Sequence, residues 1–208
     1  TRIGMITSLS LKNFKSIEGK LYEFTKLDLL VGRNNSGKST ILQALAIWQF
    51  CIDEFHRTKR TGKTGKQIVL PNFTALPVPE FNLLWKDRTD RRYPFKGDKR
   101  ATPEYILIDI DVTWLTRNNE KQSFAVRLRY NSPQTLYAIP SIDWTSFRAL
   151  DKDKTFPVIA FVPPFSGLEP TEEWRDDGPI RKQIGKAQPG SVLRNLLYRV
   201  VTNSPNEW

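Results

Sequence analysis

The sequence is poor in the side chains that mark disulfide scaffolds and zinc sites. Among 208 residues it has one cysteine, Cys51, and one histidine, His56. One cysteine cannot form an internal disulfide, and one of each leaves no zinc-binding cluster. No apolar run approaches the roughly 18 to 20 residues that span a bilayer, and the first residues lack a signal-peptide pattern. We therefore expect a globular cytoplasmic protein with no membrane contact.

Acidic residues are also scarce relative to basic ones, and the imbalance is local. The chain has 32 Lys or Arg and 22 Asp or Glu, a net charge of +10. Residues 56–100 hold twelve basic and four acidic residues, so this stretch alone carries +8. A local basic excess is typical of a surface that contacts a polyanion, although a solvated insertion has the same composition.

The N-terminal part predicts strands followed by a helix. Residues 5–14 contain the alternation of a strand, with 21–24 as its hairpin partner. The apolar run 27–31, which ends at Gly32, predicts a buried strand of a parallel sheet. From Lys38 onward the spacing of apolar residues changes to three and four, which predicts an amphipathic helix as far as Phe55.

The rest of the chain is more varied. Residues 57–104 are punctuated by glycine and proline and predict loops, with local order at 81–85. Residues 105–139 alternate with period two and predict an antiparallel meander. A buried strand is expected at 156–162 and a helix at 191–203. We divide the chain into 1–56, the basic insertion 57–104, and 105–208 as the remainder of the same domain.

A phosphate-binding motif stands between the predicted strand 27–31 and the helix. Residues 32–39 match G-x-x-x-x-G-K-[ST] in full. In this motif the glycines let the backbone approach phosphates, and successive N–H groups line an anion-binding concavity. The motif predicts a site for ATP and Mg²⁺ formed by Gly32, Asn34, Asn35, Ser36, Gly37, Lys38, Ser39 and Thr40. Lys38 would contact the β- and γ-phosphates, Ser39 the metal, and Thr40 the α-phosphate.

Two segments together carry a family resemblance. Residues 8–17, with Leu11-Lys12-Asn13-Phe14-Lys15, and residues 29–40 resemble the N-terminal end of ABC-type ATPases of the SMC, RecF and OLD group. The resemblance implies an α/β fold: a P-loop NTPase core of the ABC-type head with an antiparallel β subdomain, incomplete at the C-terminus. It also implies that two heads close around two ATP molecules, and that Lys12, Asn13 and Lys15 pass the base and sugar.

Other parts of the family pattern are missing. Val162-Pro163-Pro164-Phe165 stands where the family places a glutamine near the metal, and no convincing signature, Walker B or switch motif is found. Phe50-Cys51-Ile52-Asp53-Glu54 has Walker B letters but falls inside the predicted helix. Asp109 alternates with isoleucines, as on the solvated face of an antiparallel strand. We therefore assign no catalytic residue and expect ATP binding without efficient hydrolysis in this chain.

Three functions remain open at this point. The first is the nucleotide-binding part of an ATPase that dimerises on ATP and acts on DNA, in repair, chromosome maintenance or phage defence. The second is a nucleotide-gated scaffold that assembles around a separate effector, such as a nuclease, with little turnover. The third is a compact kinase or GTPase with Asp109 on the metal. Residues 85–93 mix basic and aromatic residues, which is typical of nucleic-acid surfaces and equally of a disordered or protein-contacting insertion.

Overall fold

The structure is a computed structural model that describes residues 4–33, 36–58, 65–96, 99–100, 102–116, 118–152, 155–159, 171–176, 178–180, 183 and 189–203. Its strands are β1 (Met5–Phe14), β2 (Ile17–Glu23), β3 (Lys66–Val69), β4 (Arg91–Arg92), β5 (Phe95–Lys96), β6 (Lys99–Arg100), β7 (Glu104–Tyr105), β8 (Ile108–Leu115), β9 (Lys121–Ser132) and β10 (Thr135–Pro140). The helices include α1 (Lys38–Arg57), α2 (Trp144–Lys152) and α3 (Leu193–Asn203).

Six strands form one antiparallel sheet in the order β2-β1-β8-β9-β10-β3. The pairing register sorts side chains by chemistry, because neighbours along a strand point to opposite faces. Ile110 of β8 lies opposite Leu11 and Val126, and these residues are buried on what we call the inner face. Asp109 lies opposite Lys12 and Arg127 on the other, outer face. The predicted antiparallel meander is confirmed.

Helix α1 packs on the inner face and confirms the predicted amphipathic helix. Its buried residues recur at helical spacing from Thr40 to Phe55. Trp48 is fully buried, donates its indole N–H to the carbonyl oxygen of Phe124 at 2.8 Å, and has its ring 6.0 Å from that of Trp114. The ring of Phe147 in α2 lies 5.6 Å from that of Phe124. The core between helices and sheet is thus largely aromatic.

One predicted buried strand is not observed, and the described part of a second has no ladder pairing. The run 27–31 pairs with no strand, and Leu27, Leu29 and Val31 are 91%, 83% and 79% exposed. A parallel strand is buried only when neighbouring strands and helices cover it, and none of the described strands pairs with this run. Residues 155–159 also lack ladder pairing. There the N–H of Ile159 donates to the side chain of Gln49 at 2.8 Å. Residues 160–162 lie outside the described part of the chain.

The basic segment 57–104 contains more regular structure than its loop-like composition predicts. β3 joins the edge of the large sheet beside β10. A 3₁₀ turn spans Phe81–Leu84, where local order was expected. β4 pairs with β7, and β5 pairs with β6 nested inside them. Residues 91–105 therefore contain two nested pairs of short antiparallel strands, which we call the arm.

The chain divides into two compact units, residues 1–72 with 78–160, and residues 73–77 with 161–208. In the second unit, the carboxylate of Glu172 accepts hydrogen bonds from the N–H groups of Arg194 and Asn195, each at 2.8 Å, and so caps the start of α3. The Asn195 side chain is buried and also accepts from the N–H of Arg175. The predicted C-terminal helix is confirmed. Among the described helices, none combines the length and apolar character needed to cross a bilayer.

Candidate nucleotide-binding site

The loop that leads into α1 is compact at its two ends. Gly32 has φ 157°, and a Cβ added there would lie 2.7 Å from the Ser36 hydroxyl oxygen, so a side chain at this position would displace that hydroxyl. The N–H of Ser36 donates to the carbonyl of Arg33 at 3.2 Å and closes a turn. Asn34 and Asn35, which the motif also assigns to the site, lie outside the described residues. Gly32 and Ser36 therefore lie close together immediately before the helix.

The N-terminus of α1 is open to an anion. Gly37 at the N-cap adopts a left-handed conformation with φ 87°, no side chain caps the helix, and its first turn contains no acidic residue. The first N–H groups of a helix have no partner within the helix and carry the positive end of its dipole. An uncapped N-terminus behind a glycine loop is a phosphate-binding arrangement.

Lys38 brings a full positive charge to this concavity. Its ammonium donates to the carbonyl oxygens of Gly32 at 2.6 Å and Arg33 at 2.7 Å, with the Ser36 hydroxyl at 3.4 Å. These contacts hold the ammonium against the backbone at the start of the loop. Lys38 and Gly32 are thus in direct contact, whereas their assignment to a nucleotide site stays a prediction.

Ser39 and Thr40 differ in accessibility. Ser39 is exposed, whereas Thr40 is 9% exposed. A serine hydroxyl suits Mg²⁺, which takes oxygen ligands and usually keeps water and substrate phosphates in its shell. The described residues contain no group of three or more His, Cys, Asp or Glu side chains that could hold a metal ion. A magnesium ion at this position would be held by the Ser39 hydroxyl together with phosphate and water oxygens.

The three residues at the end of β1 have different environments. Lys12 is exposed on the outer face, away from α1. Asn13 donates its amide to the carbonyl of Leu107 at 2.8 Å, across to the neighbouring chain segment. Lys15 reaches α1 and donates to Gln43 at 2.5 Å, and its partial burial lowers the pKa of its ammonium. Of the three, the structure connects only Lys15 with the helix that carries the loop.

The two carboxylates considered as metal ligands are placed elsewhere. Asp53 is an exposed residue in α1 and accepts a hydrogen bond from Gln49 at 2.9 Å. Asp109 lies on the outer face, 3.5 Å from the Arg127 guanidinium, while α1 packs on the inner face. Neither arrangement is that of a metal ligand beside Ser39. The third function, with Asp109 on the metal, is therefore contradicted.

Sequence reasoning missed the glutamines of α1. Gln43 holds Lys15, and Gln49 links Asp53 in the helix to the backbone of Ile159. Both residues interrupt the apolar spacing at positions flanking the buried stripe. A polar, uncharged side chain at the boundary of an amphipathic helix was the available signal, although nothing in the sequence identified the partners.

Comparisons with known proteins found one family model, which covers the loop, and two curated relatives. Residues 5–87 match the family model described as AAA ATPase domain. A stretch of 42 residues is 50% identical to an ATP/GTP phosphatase of Helicobacter pylori. This alignment covers 20% of this chain and 11% of that protein. A stretch of 126 residues is 27% identical to the uncharacterized protein MJECL10 of Methanocaldococcus jannaschii, which covers 58% of this chain and 50% of that protein.

A weaker likeness was found among solved structures. One solved chain aligns with this chain at 18% identity and a TM-score of 0.37. It comes from work on the structural biochemistry of ATP-driven dimerization and DNA-stimulated activation of SMC ATPases. The alignment covers 74% of this chain and 81% of that chain. Likeness at this level carries no argument about function. The present chain spans about a tenth and about half of the two curated relatives' lengths.

Proposed function

We propose that this chain, an ATP-binding AAA-type ATPase segment over residues 5–87, forms one half of a composite ATP site that a second head completes. The observation that carries the proposal is the open N-terminus of α1, behind the left-handed Gly37 and beside the Lys38 ammonium. When bound, ATP with Mg²⁺ would supply the phosphate charge that these groups are arranged to neutralise. The complete ATPase would dimerise on ATP and act on DNA, in repair, chromosome maintenance or phage defence.

Each residue of the loop has a defined task in this proposal. The helix N–H groups donate to phosphate oxygens, and the Lys38 ammonium, already held within the loop by the Gly32 and Arg33 carbonyls, gives up part of those contacts to the β- and γ-phosphates. Ser39 presents its hydroxyl to the metal. Gly32 and Gly37 keep side chains away from the path of the phosphates. Binding and orientation are therefore the contribution of this chain.

The exposed run before the loop supports a larger head. Leu27, Leu29 and Val31 alternate and are mostly exposed, which is an unusual state for a predicted core strand. We propose that in the complete head further strands pair with this run and cover it. The same additional part would supply the carboxylate and the water-positioning group that phosphoryl transfer requires. The fraction of each curated relative that the chain spans is consistent with this view.

The second candidate is a nucleotide-gated scaffold that assembles around an effector such as a nuclease. It is favoured by the positions of the two carboxylates considered as metal ligands, since Asp53 binds Gln49 within α1 and Asp109 lies on the outer face beside Arg127. The two candidates share the ATP site and differ in turnover. They are separated by phosphate release, measured with and without DNA, in this chain and in any longer natural form.

The test of the site itself is equilibrium ATP binding with and without Mg²⁺. Lys38→Ala should weaken ATP binding by about tenfold to about a hundredfold, because hydrogen bonds to charged groups contribute roughly 1.5 to 3 kcal/mol. Lys26→Ala removes the same charge from an exposed position in the preceding segment and should leave the affinity unchanged. Ser39→Ala should abolish the increase in ATP affinity that Mg²⁺ produces in the parent chain. Equal ATP affinity in Lys38→Ala and the parent chain would overturn the site.

Dimerisation and turnover complete the test. Light scattering of the longer natural form should show an ATP-dependent increase in mass from monomer to dimer. Lys38→Ala should abolish this increase. Turnover that appears only in a longer form and rises with DNA supports the first candidate, whereas tight binding without turnover in either form supports the scaffold. Substantial turnover by the present chain alone would contradict the proposal that hydrolysis requires further residues.

A further inference from the structure

We propose that Lys15 is a positioning residue of the nucleotide site, which acts through Gln43 to orient Ser39 toward Mg²⁺. The inference rests on the proposed function and assigns part of its metal binding to residues outside the phosphate loop. Lys15 directly follows β1, and its ammonium donates to the side-chain oxygen of Gln43, in the second turn of α1, at 2.5 Å. We call this hydrogen bond the strut, because it joins the sheet to the helix that carries the loop.

The strut contacts the helix close to the proposed metal ligand. Ser39 and Gln43 are four residues apart, so their side chains lie on the same face of α1 in successive turns, about 6 Å apart along the helix axis. Ser39 is exposed, and its direction is therefore set by the rotation of the helix rather than by packing around its own side chain. A restraint on Gln43 is thus also a restraint on where the Ser39 hydroxyl points.

The start of α1 gains a directional contact from the strut. The N-cap residue Gly37 is left-handed and makes no side-chain hydrogen bond. Thr40, Ile41 and Ala44 are buried, but apolar burial is non-directional and permits small rotations of a helix about its axis. A hydrogen bond depends on both distance and angle. The strut therefore restrains a rotation that burial alone leaves open.

The sheet end of the strut has a fixed position. Phe14, the residue before Lys15, is fully buried and forms a bridge with Trp85. The N–H of Lys15 donates to the carbonyl of Leu84 at 2.8 Å, and Leu84 is itself fully buried. Because the backbone of Lys15 is held by buried neighbours, a contact made by its side chain can hold the helix in place.

The backbone on either side of Phe14 is left-handed. Asn13 and Lys15 have φ 56° and 52°. Asparagine tolerates this conformation, and the Asn13 amide donates to the carbonyl of Leu107 at 2.8 Å. For lysine the left-handed conformation is unfavourable, and such conformations persist where the surrounding structure imposes them, commonly at functional sites. The strut gives this conformation a role, since it delivers the Lys15 ammonium to α1.

The surroundings of the ammonium favour positioning over direct phosphate contact. The Lys15 ammonium is partly buried and lies 5.8 Å from the centroid of the Phe14 ring, in addition to its contact with Gln43. To reach a phosphate it would have to leave both neighbours. Lys38, by contrast, already has its ammonium against the loop. The two lysines therefore have different tasks, Lys38 toward phosphate and Lys15 toward the helix.

The test is ATP binding to the full chain with and without Mg²⁺, and the quantity compared is the ratio of the two affinities. Lys15→Met and Gln43→Ala each break the strut and should lower this ratio by about tenfold, the low end of the effect for residues that orient a metal ligand. The Mg²⁺-free affinity should stay that of the parent chain. The double variant should lower the ratio no further than either single change, because both remove the same contact. Lys15→Arg keeps a charged donor and should retain the parent's ratio.

Two control variants separate positioning from general effects. Gln49→Ala also removes a hydrogen-bonded glutamine from α1, one that contacts Asp53 and the backbone of Ile159, but ten residues from Ser39. Lys20→Met removes an exposed lysine from β2. Both controls should leave the ratio unchanged, even where urea unfolding shows a loss of stability. Because the strut is broken from either side, one of its two single variants suffices if the other does not fold.

Several outcomes would overturn the inference. A parent-like ratio in the strut variants would do so and leave the nucleotide site intact, as long as Lys38→Ala weakens ATP binding. Weaker binding by Lys15→Met both with and without Mg²⁺, with no change in Gln43→Ala, would show that Lys15 contacts phosphate instead. An equal fall of the ratio in Gln49→Ala would show a general loosening of α1. Absence of ATP binding by the parent chain would overturn the proposed function and this inference with it.

Discussion

Two regions of the first unit differ in the burial of their apolar side chains. On the inner face of the sheet, Trp48, Trp114 and Phe124 are at most 1% exposed, and both indole N–H groups are hydrogen bonded. In the segment that approaches the loop, Leu27 and Leu29 are 91% and 83% exposed. The apolar side chains of the inner face are buried by other residues of this chain. Leu27 and Leu29 are not covered by any described residues. Stability and ligand binding should therefore respond to different substitutions.

The largest effect should come from breaking the inner face. Trp114→Ala should lower the free energy of unfolding by about 3 to 5 kcal/mol, because it removes a buried ring and leaves a cavity. Leu29→Ala, in the exposed run, should change it by no more than about 0.5 kcal/mol. The measurement is urea unfolding of both variants beside the parent chain.

Trp114→Phe refines this first comparison. It keeps an aromatic ring but leaves the Thr155 carbonyl, which accepts the indole N–H at 2.7 Å, without its partner. The loss should be intermediate, about 1 to 3 kcal/mol. If Leu29→Ala destabilises the chain as much as Trp114→Ala, the exposed run is buried in solution and the contrast between the two regions is wrong.

The difference in burial also separates the elements that the sequence predicted correctly from the one that it did not. β1, the meander and α1 were predictable because the partners that bury their apolar residues lie within the chain, so period two or 3.6 corresponds to a real face. The run 27–31 had an equally good pattern but pairs with no described strand. The pattern identifies what a segment can bury, and the neighbouring elements decide whether it is buried.

The nucleotide-binding loop and the arm also show that only features set by local sequence could be predicted. The loop was predictable because Gly37 and Lys38 meet local requirements, a left-handed φ and a charge at a helix start. Lys12 was assigned with them by resemblance, but its strand register places it on the outer face. The arm was missed because strands of two residues have no period, and because the stack of Tyr105 with Arg129 joins residues distant in sequence.

A second prediction sharpens the comparison inside the loop. Gly37→Ala places an alanine at φ 87°, and the left-handed conformation costs a residue with a Cβ about 1 to 2 kcal/mol. No atom lies within 4 Å of the added Cβ, so the cost is torsional rather than steric. The variant should lose about this much free energy of unfolding in urea, and ATP affinity should fall because the loop shifts to relieve the strain.

Gly19→Ala is the matched control. A Cβ added at Gly19 would also have no atom within 4 Å, but Gly19 does not have a positive φ. Because alanine restricts the unfolded chain more than glycine does, this variant should be neutral or more stable by up to about 1 kcal/mol. Equal destabilisation by the two substitutions would show that the left-handed conformation of Gly37 does not matter.

The smallest effect is expected on the outer face, where the same sheet carries charge. Burial, with a smaller contribution from Asp109, raises the pKa of Asp111, which Arg127 only partly offsets. A carboxyl whose pKa is raised on folding contributes stability that is complete below its unfolded pKa and is lost as pH rises through its folded pKa. Asp111→Asn, which cannot ionise, should therefore gain stability relative to the parent chain between pH 3 and pH 7, by about 0.5 kcal/mol for a partly exposed group.

Asp143→Asn provides the opposite sign in the same experiment. The hydroxyl and the N–H of Ser146 donate to the Asp143 carboxylate and lower its pKa. Its stabilising contribution is present at neutral pH and is lost as pH falls through the lowered pKa, so this variant should lose stability relative to the parent chain as pH rises. Urea unfolding at several pH values measures both trends. A pH-independent difference for Asp111→Asn would mean that the outer face is as well solvated as the approach to the loop, and that the inner face alone distinguishes the two regions.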